Sequence, residues 1–285
     1  MKLCRYNDDR LGVVENEEVI DVTGALDVIS PSTWPAPLGD ALVANLSAVC
    51  EKASELMDSG VRSSITSVTL KSPVANPTKV IGAPVNYLAH KDEAIADKGV
   101  SFGQEIKSID HYGLFLKSPV LVGPGEGVEL HFPDRRNDHE VEVAMVIKKK
   151  AKNVKYENAL DYVAGYSIGL DMTVRGTEER SLRKAIDSYS VLGPWLVTAD
   201  EIPDPDDLGF TIHVGDEERQ NSNTNKLIYD CRKLIEYGSQ FYTLYPGDVI
   251  MTGTPEGVGP VKPGDTMHCF CERIGKMDVA VRAAM

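Results

Sequence analysis

Asp138-His-Glu-Val-Glu-Val-Ala-Met-Val-Ile147 changes character abruptly after Glu142, from acidic and polar to an unbroken run rich in valine and isoleucine. Such a run reads as a buried β-strand. Side chains alternate faces along a strand, so Asp138, Glu140 and Glu142 share one face. Like charges held that close repel, and one must take up a proton unless a cation sits between them. A hard divalent ion with a preference for oxygen, Mg²⁺ or Mn²⁺ with Ca²⁺ possible in its place, is the simplest neutraliser. A third acid, Asp171, follows the apolar stretch Tyr162-Val-Ala-Gly-Tyr-Ser-Ile-Gly-Leu170, which also reads as a strand. On spacing alone the three acids read equally well as solvated charges at strand edges.

Outward from these two strands, short β-like runs dominate the rest of the chain. They are punctuated by turns such as Gly123-Pro-Gly-Glu-Gly127, Tyr245-Pro-Gly-Asp248 and Gly253-Thr-Pro-Glu-Gly-Val-Gly259. Helical patterns are fewer: one after Asn86, one over 177–185 and one over 230–244. This density of strands and turns predicts a mainly β fold with some α (α+β), barrel-like or sandwich-like, rather than a doubly wound parallel sheet. Residues 1–71 read as a small α/β unit of their own, with short strands followed by a helix over 38–58. In that helix Leu38, Leu42, Leu46, Val49, Ala53 and Leu56 recur at helical spacing. The polar, proline-rich segment Lys71-Ser-Pro-Val-Ala-Asn-Pro77 places a domain boundary near residue 72, leaving 72–285 as the larger, catalytic domain.

The 43 acidic against 30 basic residues give an acidic surface that repels a phosphate backbone, so nucleic acid and anionic membranes are not expected partners. The same surface disfavours organic anions, so a site for one must carry its own metal or cationic side chains. No apolar run approaches the roughly 18 residues needed to span a bilayer, and the amino terminus lacks a secretory core, so the expected location is the cytoplasm. Five scattered cysteines form no disulfide framework. Cys269 and Cys271 beside His268 lack a second ligand pair at zinc spacing and alternate as on a strand, which favours buried structural thiols.

Five segments resemble the fumarylacetoacetate hydrolase family, in its order and over some 200 residues. Asn86-Tyr-Leu-Ala-His-Lys-Asp-Glu93 is similar to the family's Asn-Tyr-x-x-His-x-x-Glu. Asp138-His-Glu-Val-Glu142 resembles its acidic metal strand, and Asp171-Met-Thr-Val-Arg175 its Asp-x-Thr-x-Arg. Arg183-Lys-Ala-Ile-Asp-Ser-Tyr-Ser-Val-Leu-Gly-Pro-Trp195 and Thr252-Gly-Thr-Pro-Glu-Gly-Val-Gly259 are similar to the remaining two motifs. The resemblance implies a β-rich catalytic domain, a divalent ion on Glu140, Glu142 and Asp171, a homodimer, and a small organic acid as substrate. The implied reaction is hydrolysis of a carbon–carbon bond in a 2,4-dioxo acid of the acylpyruvate type. A lyase or isomerase on the same scaffold is the alternative: a 2-oxo acid decarboxylase, a hydroxymuconate isomerase or a ureidoglycolate lyase. A metal-stabilised protein without catalysis is a third.

Within that frame His90 is the expected base for water, because an imidazole near its ordinary pKa accepts a proton at cellular pH. Glu93, one helical turn on, would orient it; without the resemblance, both also read as part of an exposed polar helix. Lys184 would supply fixed positive charge near the developing oxyanion. Arg175 and Thr254 are candidates for holding substrate carboxylate, Thr254 on a loop where glycine permits close approach. Two positions depart from the family pattern: Glu178 stands where many members carry a substrate-contacting glutamine, and Arg183 where many carry glycine.

Overall fold

Strand Val141–Ile147 is buried at every position and lies inside the largest sheet of the computed structural model, which describes residues 1–284. That sheet has eleven strands. Its order runs Arg62–Ser64, Glu18–Asp21, Arg10–Glu15, Lys2–Tyr6, Ser190–Thr198, Val163–Asp171, Val141–Ile147, Val249–Met251, Val80–Gly82, Phe115–Lys117, and Leu70–Lys71 pairs with Lys2–Tyr6 off this path. The ends do not meet, so a mainly β fold with helices forms without closing into a barrel. Val249–Met251 and Val80–Gly82 pair in parallel, while their neighbours pair antiparallel, so the sheet is mixed.

Alternation along Val141–Ile147 divides the core in two. Val141, Val143, Met145 and Ile147 face one apolar cluster shared with Phe210, Ile212, Met267 and Val279 of a second, five-stranded sheet. Ala144 and Val146 face the other cluster, filled by Val43, Leu46, Val49 and Ala53 from the amino-terminal helices. Burying each such valine, isoleucine or leucine contributes roughly 1.5–3 kcal/mol, which fixes the register of the central strand on both faces. The amino-terminal strands are continuous with the rest: Lys2 pairs with Val197 and Leu3 with Leu196.

The helix expected over 38–58 is two helices, Ala41–Ala44 and Leu46–Leu56. Asp40 caps the first by accepting from the Val43 amide at 3.1 Å. Asn45 interrupts the run, its side chain donating to the Ala41 carbonyl at 2.8 Å. The helix expected after Asn86 runs Leu88–Ala96, and the other two are shorter than expected, Arg180–Lys184 and Cys231–Phe241, the last capped by Asp230. Among the described residues no helix is long and apolar enough to cross a membrane. Strand Thr266–Cys271 buries Cys269 and Cys271 and turns His268 outward onto Asp278, so the three do not converge on one point. Burial pushes the Cys271 thiol up to about 12, the mark of an inert core thiol.

Candidate active site

The acidic strand is interrupted where the site begins. Asn137–His139 joins a small sheet with Thr173–Val174, and the main strand starts at Val141, leaving Glu140 at the junction. Val141 pairs with Leu170, and the Asp171 amide donates to the Glu140 carbonyl at 2.9 Å, so Asp171 stands across the ladder from Glu140. Residues directly opposite on antiparallel strands point to the same face, as do residues two apart on one strand. Glu140, Glu142 and Asp171 therefore converge, each offering an oxygen within 4.8 Å of the others, and all three are buried.

Asp138, expected on the same face, turns instead to Arg136 and Arg175, each at 2.8 Å. Arg175 also reaches Glu140 at 2.7 Å. Lys184 bridges Glu140 at 2.6 Å and Asp171 at 2.7 Å and donates to the Thr173 hydroxyl. Lys117, with a fully buried ammonium, pairs with the other oxygen of Asp171 and donates to the Lys184 carbonyl at 2.7 Å. Burial disfavours charge on Glu140, but the Lys184 and Arg175 cations outweigh it and hold the carboxyl below its ordinary range.

Glu142 is the exception. Among the described residues no cation lies within salt-bridge reach of it, and its partner is the Gly253 amide, which donates at 2.6 Å. Burial, then the charges of Asp171 and Glu140, push its carboxyl well above the usual range. A buried carboxylate facing two others, with no protein cation of its own, is a donor set that fits a hard divalent ion. Gly253 makes the approach possible: its φ is +103°, and a side chain there would meet the Asn86 Cβ at 2.7 Å.

His90 enters from helix Leu88–Ala96. Its Nδ1 lies 3.0 Å from Glu93 Oε2, and the second oxygen of Glu93 accepts from the Gly257 amide at 2.8 Å. Asn86 anchors the start of this segment by donating to the Thr252 and Tyr229 carbonyls at 2.8 and 2.9 Å. Immediately before Asn86, Val85, a β-branched residue, is held at φ +50°, a strained conformation of the kind that clusters at functional sites. His90, Val85, the three acids, Arg175, Lys184 and Thr254 line one cavity of about 130 Å³.

Not every expected residue presents its polar group to that cavity. The Thr254 hydroxyl donates to the Val141 carbonyl at 2.9 Å and accepts from Gln220 at 2.8 Å. Glu178 is held by Arg135 through two bonds of 2.9 and 2.8 Å and does not line the cavity. No motif in the sequence singles out Lys117, Arg136 or Gln220. Lys117 gives no signal beyond a lone lysine ending an apolar strand, and Gln220 sits on a hairpin distant in the chain.

Residues 79–282 match the family described as fumarylacetoacetate (FAA) hydrolase C-terminal. The chain belongs to the fumarylacetoacetate hydrolase family. Within that family it is 53% identical to maleylpyruvate hydrolase of Aquipseudomonas alcaligenes, over 99% of this chain and 100% of the relative. It is 38% identical to the mitochondrial oxaloacetate tautomerase Fahd2a of Rattus norvegicus, over 73% of this chain and 67% of that one. Its fold superposes with a TM-score of 0.83 on maleylpyruvate hydrolase from Sphingobium sp. SYK-6, solved in complex with manganese(II) ion and pyruvate. That structure is 37% identical, with 100% of both chains covered. The family members compared thus include a hydrolase and a tautomerase.

Proposed function

We propose that this chain is a divalent-metal-dependent hydrolase that cleaves the carbon–carbon bond of an acylpyruvate, a 2,4-dioxo acid. The observation that carries it is one cavity holding both parts the reaction needs: three converging carboxylates and a histidine oriented by a carboxylate. Glu140, Glu142 and Asp171 hold the ion, Mn²⁺ or Mg²⁺, which when bound supplies Lewis acidity toward the 2-oxo acid end of the substrate.

Glu93 accepts a hydrogen bond from the Nδ1–H of His90, which leaves Nε2 as the basic nitrogen. His90 takes a proton from water as the oxygen bonds to the 4-carbonyl carbon. The bond between carbons 3 and 4 then breaks, with its electron pair passing toward the 2-oxo end. Return of the proton to carbon 3 completes pyruvate and a carboxylic acid. Lys184, held against Glu140 and Asp171, fixes the carboxylates and adds positive charge at the cavity wall. Arg175 braces Glu140 from the far side.

Acylpyruvate cleavage is supported by the 53% identity to a maleylpyruvate hydrolase along the whole chain. Five free cysteines, four of them buried, accord with a reducing cytoplasm, and a homodimer is the assembly that the family resemblance implies. The test is turnover of acylpyruvates by chelator-stripped protein before and after Mn²⁺ or Mg²⁺ is restored, with pyruvate measured as product. Metal-dependent release of pyruvate is the expected result. Interconversion of keto and enol forms of oxaloacetate without bond cleavage would replace the hydrolase with a tautomerase.

A further inference from the structure

The cations around the cavity divide into two groups. Lys117, Arg135, Arg136, Arg175 and Lys184 each have a carboxylate partner. Arg180 and Arg183 line the cavity with Arg175 and Lys184, but among the described residues neither has a carboxylate within salt-bridge reach. Both are half-buried, whereas Glu140, Glu142 and Asp171 are fully buried, so the two arginines belong to the outer part of the cavity.

Their donors are oriented but unspent. The Arg183 Nε donates to the Glu178 carbonyl at 2.8 Å, which leaves the fork of its terminal nitrogens. The Arg180 guanidinium lies over the Tyr112 and Phe115 rings, at 5.0 and 5.2 Å from their centroids. Stacking uses the face of a guanidinium and leaves its edge N–H groups free for a carboxylate. Burial, then the like charges of Arg175 and Arg180, push Arg183 below its ordinary value, as expected of a cation lacking its counter-ion. In a chain of net charge −13, two uncompensated arginines in one cavity also offset the general repulsion of an anion.

We propose that Arg180 and Arg183 form a subsite for a second carboxylate, carried at the acyl end of the substrate, so that the class taken is a 2,4-dioxo diacid. This rests on the acylpyruvate hydrolase assignment above and narrows it. The inner carboxylate of such a substrate goes toward the buried acids and their ion, and the outer one toward the arginine pair.

The test compares maleylpyruvate, a diacid, with acetylpyruvate, whose acyl end is a neutral methyl, on the Mn²⁺-loaded protein. Wild type, Arg183→Gln and Arg180→Gln are each assayed for kcat and KM, with maleate as a competitive inhibitor and a thermal melt as a check on folding. Wild type is expected to prefer the diacid. Arg183→Gln should lower the diacid-to-monoacid ratio of kcat/KM by about 30-fold, as loss of a charge-assisted pair predicts. The loss should fall mainly on KM, maleate inhibition should weaken in parallel, and Arg183→Lys should recover part of the ratio. Equal turnover of both substrates by wild type, or an unchanged ratio in both glutamine variants, overturns the subsite and leaves acylpyruvate cleavage standing. A wild-type protein that cleaves neither substrate overturns both.

Discussion

Asp171 stands directly across the antiparallel ladder from Glu140, its amide donating to the Glu140 carbonyl at 2.9 Å. One backbone hydrogen bond thereby brings a side chain 31 positions away in the sequence to the same face as the Glu140 and Glu142 pair. The cluster depends on sheet register rather than on loops, so the backbone is set before any ion arrives.

Glu142 is the carboxylate that the protein itself leaves without a cation. Replacing it by glutamine keeps the shape, lets the Gly253 amide keep an acceptor and removes one of three converging charges. The expected outcome for Glu142→Gln is a metal-free melting temperature no lower than wild type, with Mn²⁺ affinity reduced by more than about 100-fold, beyond what loss of an outer-sphere partner costs. Differential scanning fluorimetry and titration calorimetry read the two effects. A metal-free variant that melts several degrees lower would assign the carboxylate to the fold.

Lys117→Met should do the opposite. It strips Asp171 of a fully buried partner, and breaking a buried ion pair on one side costs about 3 kcal/mol or more. The urea midpoint should fall with its slope unchanged. A midpoint within error of wild type would show that Lys184 alone satisfies Asp171.

Saturating Mn²⁺ at about 100 times its dissociation constant should stabilise the folded state by about 2.7 kcal/mol and raise the melting temperature by about 5 °C. Chelator should reverse the shift. The same rise in Glu142→Gln would place the ion elsewhere.

His90→Ala should lower kcat for acylpyruvate by about 10² to 10⁴, the range contributed by a positioned base. Glu93→Gln should cost less, because the imidazole remains while its orientation loosens. Pyruvate release in single-turnover assays separates this loss from one of binding, and a His90→Ala enzyme near wild-type rate would remove the histidine from the mechanism.

The period of two in residues 138–147 was enough to pair Glu140 with Glu142, and the i, i+3 spacing was enough to pair His90 with Glu93. Contacts made through register or long-range folding were not legible in the same way. Asp138 shares the parity of Glu140, yet the chain enters the main sheet only after it, at Val141, and Asp138 pairs with Arg136 and Arg175. Lys117 looks like any lysine until Phe115–Lys117 is placed at the end of the sheet beside Asp171. Thr254 has the right residue type on the right loop, but its hydroxyl is engaged by Val141 and Gln220, partners that no local pattern reveals. The broken helix near Asn45 has a similar origin, a side chain competing for backbone carbonyls inside an otherwise regular apolar stripe.

The ladder between Lys2–Tyr6 and Ser190–Thr198 bears on how this architecture can be cut and recombined. The family match begins at residue 79, but the strand Ser190–Thr198 is two places from the central one and takes its outer neighbour from the first residues of the chain. A fragment trimmed to the family segment would present the unpaired backbone near Leu196 and Val197 to solvent, a template for strand addition by another molecule. Chimeras that exchange the amino-terminal region between relatives therefore need to carry over an edge-capping strand in matching register. Solubility of the truncated protein, rather than its activity, is where neglect of that strand would first be seen.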